Sequence, residues 1–252
     1  MWLGHLWWMI TIGAAAAIIQ WEMRMLLRQA DIPPNYFPTV LIGLWVSFNS
    51  LIPMAMPLLL FFAIIYISWE STRKQLSHFK RIVSTMFCGI YAPLLFHSMV
   101  VIREIGTVRQ GFTLALFVLF LVWGNDVFAY AGGRLFGKTK LAPSVSPGKT
   151  WEGFATGFLG SLAGLGLIMI IPGLDFPLSF TLALPCIILA GIFGPVGDLF
   201  ESRMKRVAGA KDSGHILPGH GGLFDRFDAL LLAAPAVLVY LNVLQEFGIL
   251  PK

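Results

Sequence analysis

Eight apolar stretches constrain this chain more than any other feature. They run roughly over 1–19, 37–52, 54–69, 82–102, 111–131, 153–171, 178–198 and 229–248. Several reach the roughly 20 apolar residues that a helix needs to cross a bilayer. Charged residues make up only 12% of the chain and hydrophobic ones 57%, whereas a soluble domain carries about 25% charged residues. That deficit points to the bilayer. The expected fold is therefore all-α: a polytopic integral membrane protein with about eight transmembrane helices. The second and third stretches are short and Pro53 separates them, so they also read as one bent hairpin. The first stretch has no basic start, and Arg24 and Arg28 follow it instead. It reads as a retained helix rather than a signal peptide.

The charges set an orientation. Basic residues collect in cytoplasmic loops. With the N-terminus outside, the cytoplasmic segments are 20–36, 70–81, 132–152 and 199–228. They hold 15 of the 18 Lys and Arg residues, and the other side holds Arg103, Arg109 and Lys252. The expected placement is a multi-pass protein of the cell's inner (plasma) membrane with its polar loops facing the cytoplasm. The net charge of +5 comes from the same loops. Its nearest partners there are anionic lipid headgroups and nucleotides, not nucleic acid. Cys88 and Cys186 fall inside apolar stretches without metal-ligand spacing and read as packing residues.

The chemistry lies in the C-terminal part, 111–252, with its loops 132–152 and 199–228; 1–110 reads as N-terminal transmembrane helices. Asp126 and Asp198 each lie at the cytoplasmic end of a span, and carboxylates near the membrane core are costly and usually functional. If the helix continues past Asp198, then Asp198, Ser202 and Lys205 share one face. That face offers a carboxylate for Mg²⁺ and a hydroxyl and an ammonium for a phosphate. Asp225 and Asp228 share a face at the start of the last helix. Mg²⁺ takes oxygen ligands, often one or two carboxylates plus substrate phosphates. Asp198 and Asp225 are the expected metal pair, with Asp228 supporting. Lys205, Arg206, Lys211 and Arg226 are expected to neutralise phosphate charge, Arg by bidentate contact and Lys as a point charge. Crowded carboxylates facing phosphate groups also accommodate a second, monovalent cation.

The run Gly219-His220-Gly221-Gly222 has the backbone freedom to bring N–H groups to an anion. His220 is expected to bind phosphate, carry a proton or cap the turn. His5 and His97 are assigned no role, and His78 and His215 read as solvated loop residues. The ending Gly148-Lys149-Thr150 is not a P-loop. The position five before Gly148 is Pro143, and no soluble strand precedes it.

The polar segments carry a family resemblance. Ser202-Arg203-Met204-Lys205-Arg206, then Lys211-Asp212, then Leu217-Pro218-Gly219-His220-Gly221-Gly222-Leu223-Phe224-Asp225-Arg226-Phe227-Asp228 resembles the signature of the phosphatidate cytidylyltransferase (CDP-diacylglycerol synthase) family. Ser146-Pro147-Gly148-Lys149-Thr150-Trp151-Glu152-Gly153 is similar to a second block of that family. The match is strong over about 111–240, and the first hundred residues match only as apolar helices. The chain is short at its N-terminus for this family. Val127 stands where the family often has a small hydroxyl residue.

The resemblance implies a nucleotidyltransferase of phospholipid biosynthesis that transfers CMP from CTP to phosphatidic acid, giving CDP-diacylglycerol and pyrophosphate. It implies metal-binding and catalytic roles for Asp198 and Asp225, and nucleotide-phosphate contacts for Lys149 and Thr150. It also suggests a homodimer. The alternatives are a CTP-dependent polyprenol or phytol kinase, an ion-coupled transporter and a membrane scaffold. The transporter is disfavoured because the charged residues cluster in one interfacial loop rather than at the midplane of broken helices.

Overall fold

The computed structural model describes residues 4–51, 54–72, 77–214 and 221–251. Among these, every apolar stretch gives rise to an α-helix. They are α1 (His5–Gln29), α2 (Tyr36–Ser47), α3 (Ala55–Ser71), α4 (Ser77–Glu104), α5 (Val108–Phe136), α6 (Trp151–Ile170), α7 (Phe180–Val207) and α8 (Phe224–Glu246). The chain is membrane-embedded and all-α, as its composition implies. Among the described residues, six helices, α1 and α4 to α8, are long and apolar enough to cross a membrane by length and composition.

The other two of the eight helices are shorter. Helix α2 has 12 residues and α3 has 17. At about 1.5 Å per residue, α2 is only about 18 Å long against a hydrocarbon core of about 30 Å. The second stretch breaks early because Asn49–Leu51 forms a 3-10 turn. Helix α3 exposes Leu60, Phe61, Ile64 and Trp69. Such a surface is a liability in water but an ordinary one against lipid. Arg73, Lys74, His215 and Lys252, used above in reading the charges and histidines, lie outside the described residues.

The chain forms two compact units, Met1–His97 with Met204–Arg226, and Ser98–Arg203 with Phe227–Lys252. In the first, α1 buries Met9, Ile12, Ala16, Ile19, Met23 and Leu26. These lie three and four residues apart, the spacing of one helix face. Two long-range hydrogen bonds partner polar side chains inside this unit. Gln20 Nε2 donates to Thr39 O at 2.7 Å, and Asn35 Nδ2 donates to Tyr66 Oη at 2.9 Å. His78 corrects its expected place as a solvated loop residue. Helix α4 starts at Ser77, so His78 sits in its first turn with Nδ1 2.7 Å from Glu70 Oε1. Cys88 and Cys186 are buried thiols, which fits the packing reading.

In the second unit, α5 and α6 pack backbone to backbone. A Cβ on Gly124 would strike Gly160 O, and one on Gly160 would strike Gly124 O. Small residues permit this approach in membranes, where van der Waals packing and hydrogen bonds drive association. The hydrogen bonds are present: Ser161 Oγ donates to Leu121 O and Thr156 Oγ1 to Phe128 O, both at 3.0 Å.

Helix α5 starts at a capping box. Thr107 Oγ1 accepts from Gln110 N, and Gln110 Oε1 accepts from Thr107 N. Between α5 and α6 lies an antiparallel hairpin, β1 (Lys140–Ala142) and β2 (Ser146–Thr150). Glu152, in the first turn of α6, accepts from Thr139 N and fastens the hairpin to that helix. The loop 132–152 is therefore an ordered platform that carries Lys149 on β2.

Candidate active site

The condition set on Asp198 is met: α7 continues past it to Val207, through Pro185 and Pro195. Asp198 and Glu201 lie three residues apart on it and share a face. Gly197 explains how α8 reaches this face. A Cβ at that position would strike Asp228 O and lie 3.2 Å from Ala229 Cα. Without a side chain there, the backbone of Asp228 comes down beside Asp198. One carboxylate oxygen each from Asp198, Glu201 and Asp228 lie within 4.8 Å of one another.

Cationic and neutral donors surround this group. Lys149 Nζ is 2.7 Å from Asp198 Oδ2 and donates to Pro195 O at 3.2 Å. Ser202 Oγ donates to Asp198 Oδ1 at 3.2 Å. Asp126 lies within electrostatic reach of Asp198, Asp228 and Lys149. A cation would allow these four carboxyl groups to be ionised together beside a single ammonium. The donor set is entirely oxygen, which fits a hard divalent ion such as Mg²⁺ and not a thiolate-seeking metal.

Adding one methyl at Gly197 should loosen this group. Overpacking a tight contact costs about 1–3 kcal/mol. Gly197→Ala is expected to lower the melting temperature in detergent and to at least halve the upward shift expected of the unsubstituted protein on addition of MgCl₂. Thermal melts with and without MgCl₂ check both.

A second charged group stands in the other unit. Lys205 Nζ is 2.7 Å from Asp225 Oδ1. Asp225 Oδ2 accepts from Gly222 N at 2.8 Å, Ser213 Oγ at 2.9 Å and Ser213 N at 3.0 Å. Gly221 has φ +80°, and a Cβ there would lie 2.7 Å from Asp225 Oδ2. Glycine is needed both for that backbone and for the space.

Of the expected metal residues, Asp198 and Asp228 thus stand together in one unit, while Asp225 stands with Lys205 in the other. Thr150 is buried as the N-cap of α6, where Oγ1 accepts from Gly153 N at 3.1 Å. Arg206 lies in the last turn of α7, and Lys211 and Arg226 are exposed. His220 lies outside the described residues.

The sequence reading missed Glu201, Ser213 and Glu22. Glu201 was findable, because the same spacing that joined Asp225 to Asp228 joins Asp198 to Glu201. Glu22 carried no such signal. It is fully buried on α1, and Ser213, Leu223 and Phe224 all donate to it.

The model of the Cytidylyltransferase family matches residues 1–244. Among curated relatives, phosphatidate cytidylyltransferase of Bacillus subtilis (strain 168) is 34% identical over 180 residues, which is 71% of this chain and 65% of that protein. The phosphatidate cytidylyltransferase of Staphylococcus saprophyticus is 46% identical over 135 residues, 54% of this chain and 51% of that protein. The Staphylococcus aureus (strain COL) protein of the same name is 40% identical over 136 residues, with the same two shares. The chain spans between about half and two thirds of the length of these relatives.

Proposed function

We propose that this chain, which belongs to the cytidylyltransferase family, transfers CMP from CTP to phosphatidic acid, giving CDP-diacylglycerol and pyrophosphate. The observation that carries the reading is the group of Asp198, Glu201 and Asp228 with Lys149 on its edge. Such a group suits a metal-bound nucleoside triphosphate better than it suits a lipid-facing helix.

The reaction needs little general-base help. A phosphate oxygen of phosphatidic acid, already anionic near neutral pH, attacks the α-phosphorus of CTP. A new P–O bond forms, the bond from that phosphorus to the bridging oxygen breaks, and pyrophosphate leaves with the electron pair. Positioning and charge neutralisation carry such a transfer. Asp198, Glu201 and Asp228 would hold Mg²⁺, which when bound neutralises phosphate charge and stabilises the leaving pyrophosphate. Lys149 brings an ammonium to the nucleotide phosphates. Thr150 Oγ1 is an acceptor at the α6 cap, which leaves its O–H to donate to a phosphate oxygen. Lys205, held by Asp225, and Arg206, Lys211 and Arg226 enter this reading as phosphate-neutralising cations through their place in the signature. His220, Gly221 and Gly222 belong to the same phosphate-binding reading, supported by their place in the signature.

The acyl tails stay in the bilayer while the headgroup meets the polar loops. The charge bias supports a cytoplasmic face at the inner membrane. The resemblance also suggests a homodimer, which mass measurement in detergent tests.

The functional test is direct. Purified protein in detergent and phosphatidic acid micelles, with CTP and Mg²⁺, is expected to release pyrophosphate and form a CDP-lipid. Both products should vanish when the metal is chelated. With a polyprenol added, CDP together with a phosphorylated polyprenol would replace this reading by the kinase, and a folded sample that forms neither product would overturn it.

A further inference from the structure

Glu22 is a carboxylate with no exposure on an otherwise membrane-spanning helix, α1. Burying such a group unpartnered is prohibitively unfavourable, so its partners define its purpose. Phe224 N donates to Oε2 at 2.7 Å and Leu223 N donates to Oε1 at 2.9 Å. These two amides open α8, where the helix dipole and the unpaired N–H groups favour an anion. Ser213 Oγ lies 3.2 Å from Glu22 Oε2 and 2.9 Å from Asp225 Oδ2. A hydroxyl has one hydrogen, so Ser213 links the two carboxylates and donates to one at a time.

The backbone around Glu22 leaves no slack. A Cβ on Gly214 would lie 2.7 Å from Glu22 Oε1, and a Cβ on Gly222 would strike Ser213 Oγ and lie 2.6 Å from Glu22 Oε2. Segments 213–214 and 222–225, about two hundred residues beyond α1, thus close on one α1 carboxylate. All of them belong to the same compact unit.

We propose that Glu22 is a positioning residue. By anchoring the first amides of α8 and the Ser213 hydroxyl, it fixes where the Asp225 carboxylate points. The role of Asp225 in cytidylyl transfer, and so the kinetic half of this proposal, rests on the function proposed above. The anchoring half does not.

The test uses Glu22→Gln and Ser213→Ala in the full-length protein, with two readouts. The first is backbone amide exchange at Leu223 and Phe224. A glutamine presents an NH₂ where an acceptor is needed, so Glu22→Gln is expected to speed exchange there at least about tenfold. Exchange in the α5–α6 pair should be unchanged. The second is steady-state kinetics. Both variants are expected to lower kcat at least about tenfold and to leave the KM for CTP within about twofold, because the misplaced group acts on the transition state.

Ser213→Ala removes the hydroxyl that bridges Glu22 and Asp225 and leaves the two amide bonds to Glu22 in place, so it reports on positioning even if Glu22→Gln fails to fold. Folded variants with unchanged kcat would overturn the proposal, as would unchanged exchange at the two amides. A rise in the KM for CTP with constant kcat would also overturn it, by making Glu22 a contributor to ground-state binding. If the unsubstituted protein makes no CDP-lipid, the functional reading falls, and amide exchange still decides whether Glu22 is the anchor.

Discussion

Asp225→Asn should cut turnover by about 10²–10³-fold, the usual cost of losing a preorganised electrostatic group, while the protein stays folded. The substitution is isosteric. The amide oxygen can still accept from Ser213 N and Gly222 N, which now hold Asp225 Oδ2 at 3.0 and 2.8 Å. The turn that leads into α8 therefore survives. What is lost is the charge facing Lys205, 2.7 Å away. Both side chains are only 12–14% exposed, so the NH₂ group would face an ammonium across a poorly solvated gap. That repulsion moves Lys205 and removes the anion at once. The stability loss should stay near 1–3 kcal/mol, visible as a lower melting temperature with intact helical circular dichroism. A folded Asp225→Asn protein that makes CDP-lipid at the normal rate would remove Asp225 from the catalytic group.

Much of this architecture is legible in the chain because lipid leaves few options. A run of apolar residues in hydrocarbon has to satisfy its own backbone, so each stretch becomes a helix wherever its neighbours lie. Length was less legible than existence. Asn49 and Ser50 end α2 early, and the charged run after Asp198 continues α7 instead of starting a loop. Helix formation after Asp198 depends on packing and on the basic last turn of Lys205 and Arg206, which complements the helix dipole.

The site divides in the same way. Asp198, Asp225, Asp228, Lys149 and Lys205 stand out because charge is rare beside so many apolar residues. Which of them meet is a tertiary fact. Gly197 lets Asp228 approach Asp198, and Gly221 and Gly222 let the chain wrap Asp225. A glycine in sequence does not say which backbone it will touch. Glu22 is the extreme case, since its donors lie about two hundred residues away.

Asp198→Asn should act on metal affinity, in contrast to Asp225→Asn. It removes one of three clustered carboxylates and also the partner 2.7 Å from Lys149. The Mg²⁺ concentration for half-maximal activity is expected to rise at least about tenfold, equal to about 1.4 kcal/mol of binding. Glu201→Gln should shift it in the same direction, because Glu201 supplies an oxygen to the same group. The shift in melting temperature that Mg²⁺ produces should shrink in both variants, since a ligand stabilises only in proportion to how tightly the native state binds it. This second measurement separates metal binding from chemistry. If Asp198 served only to hold Lys149, Asp198→Asn would raise the KM for CTP and leave both Mg²⁺ readouts unchanged. Glu201→Gln, which has no such bond to Lys149, would then be silent. A matched loss of Mg²⁺ response in the two variants is therefore specific to a shared cation. An unaltered response in both would place the metal elsewhere and leave the carboxylate group as an anchor for β2.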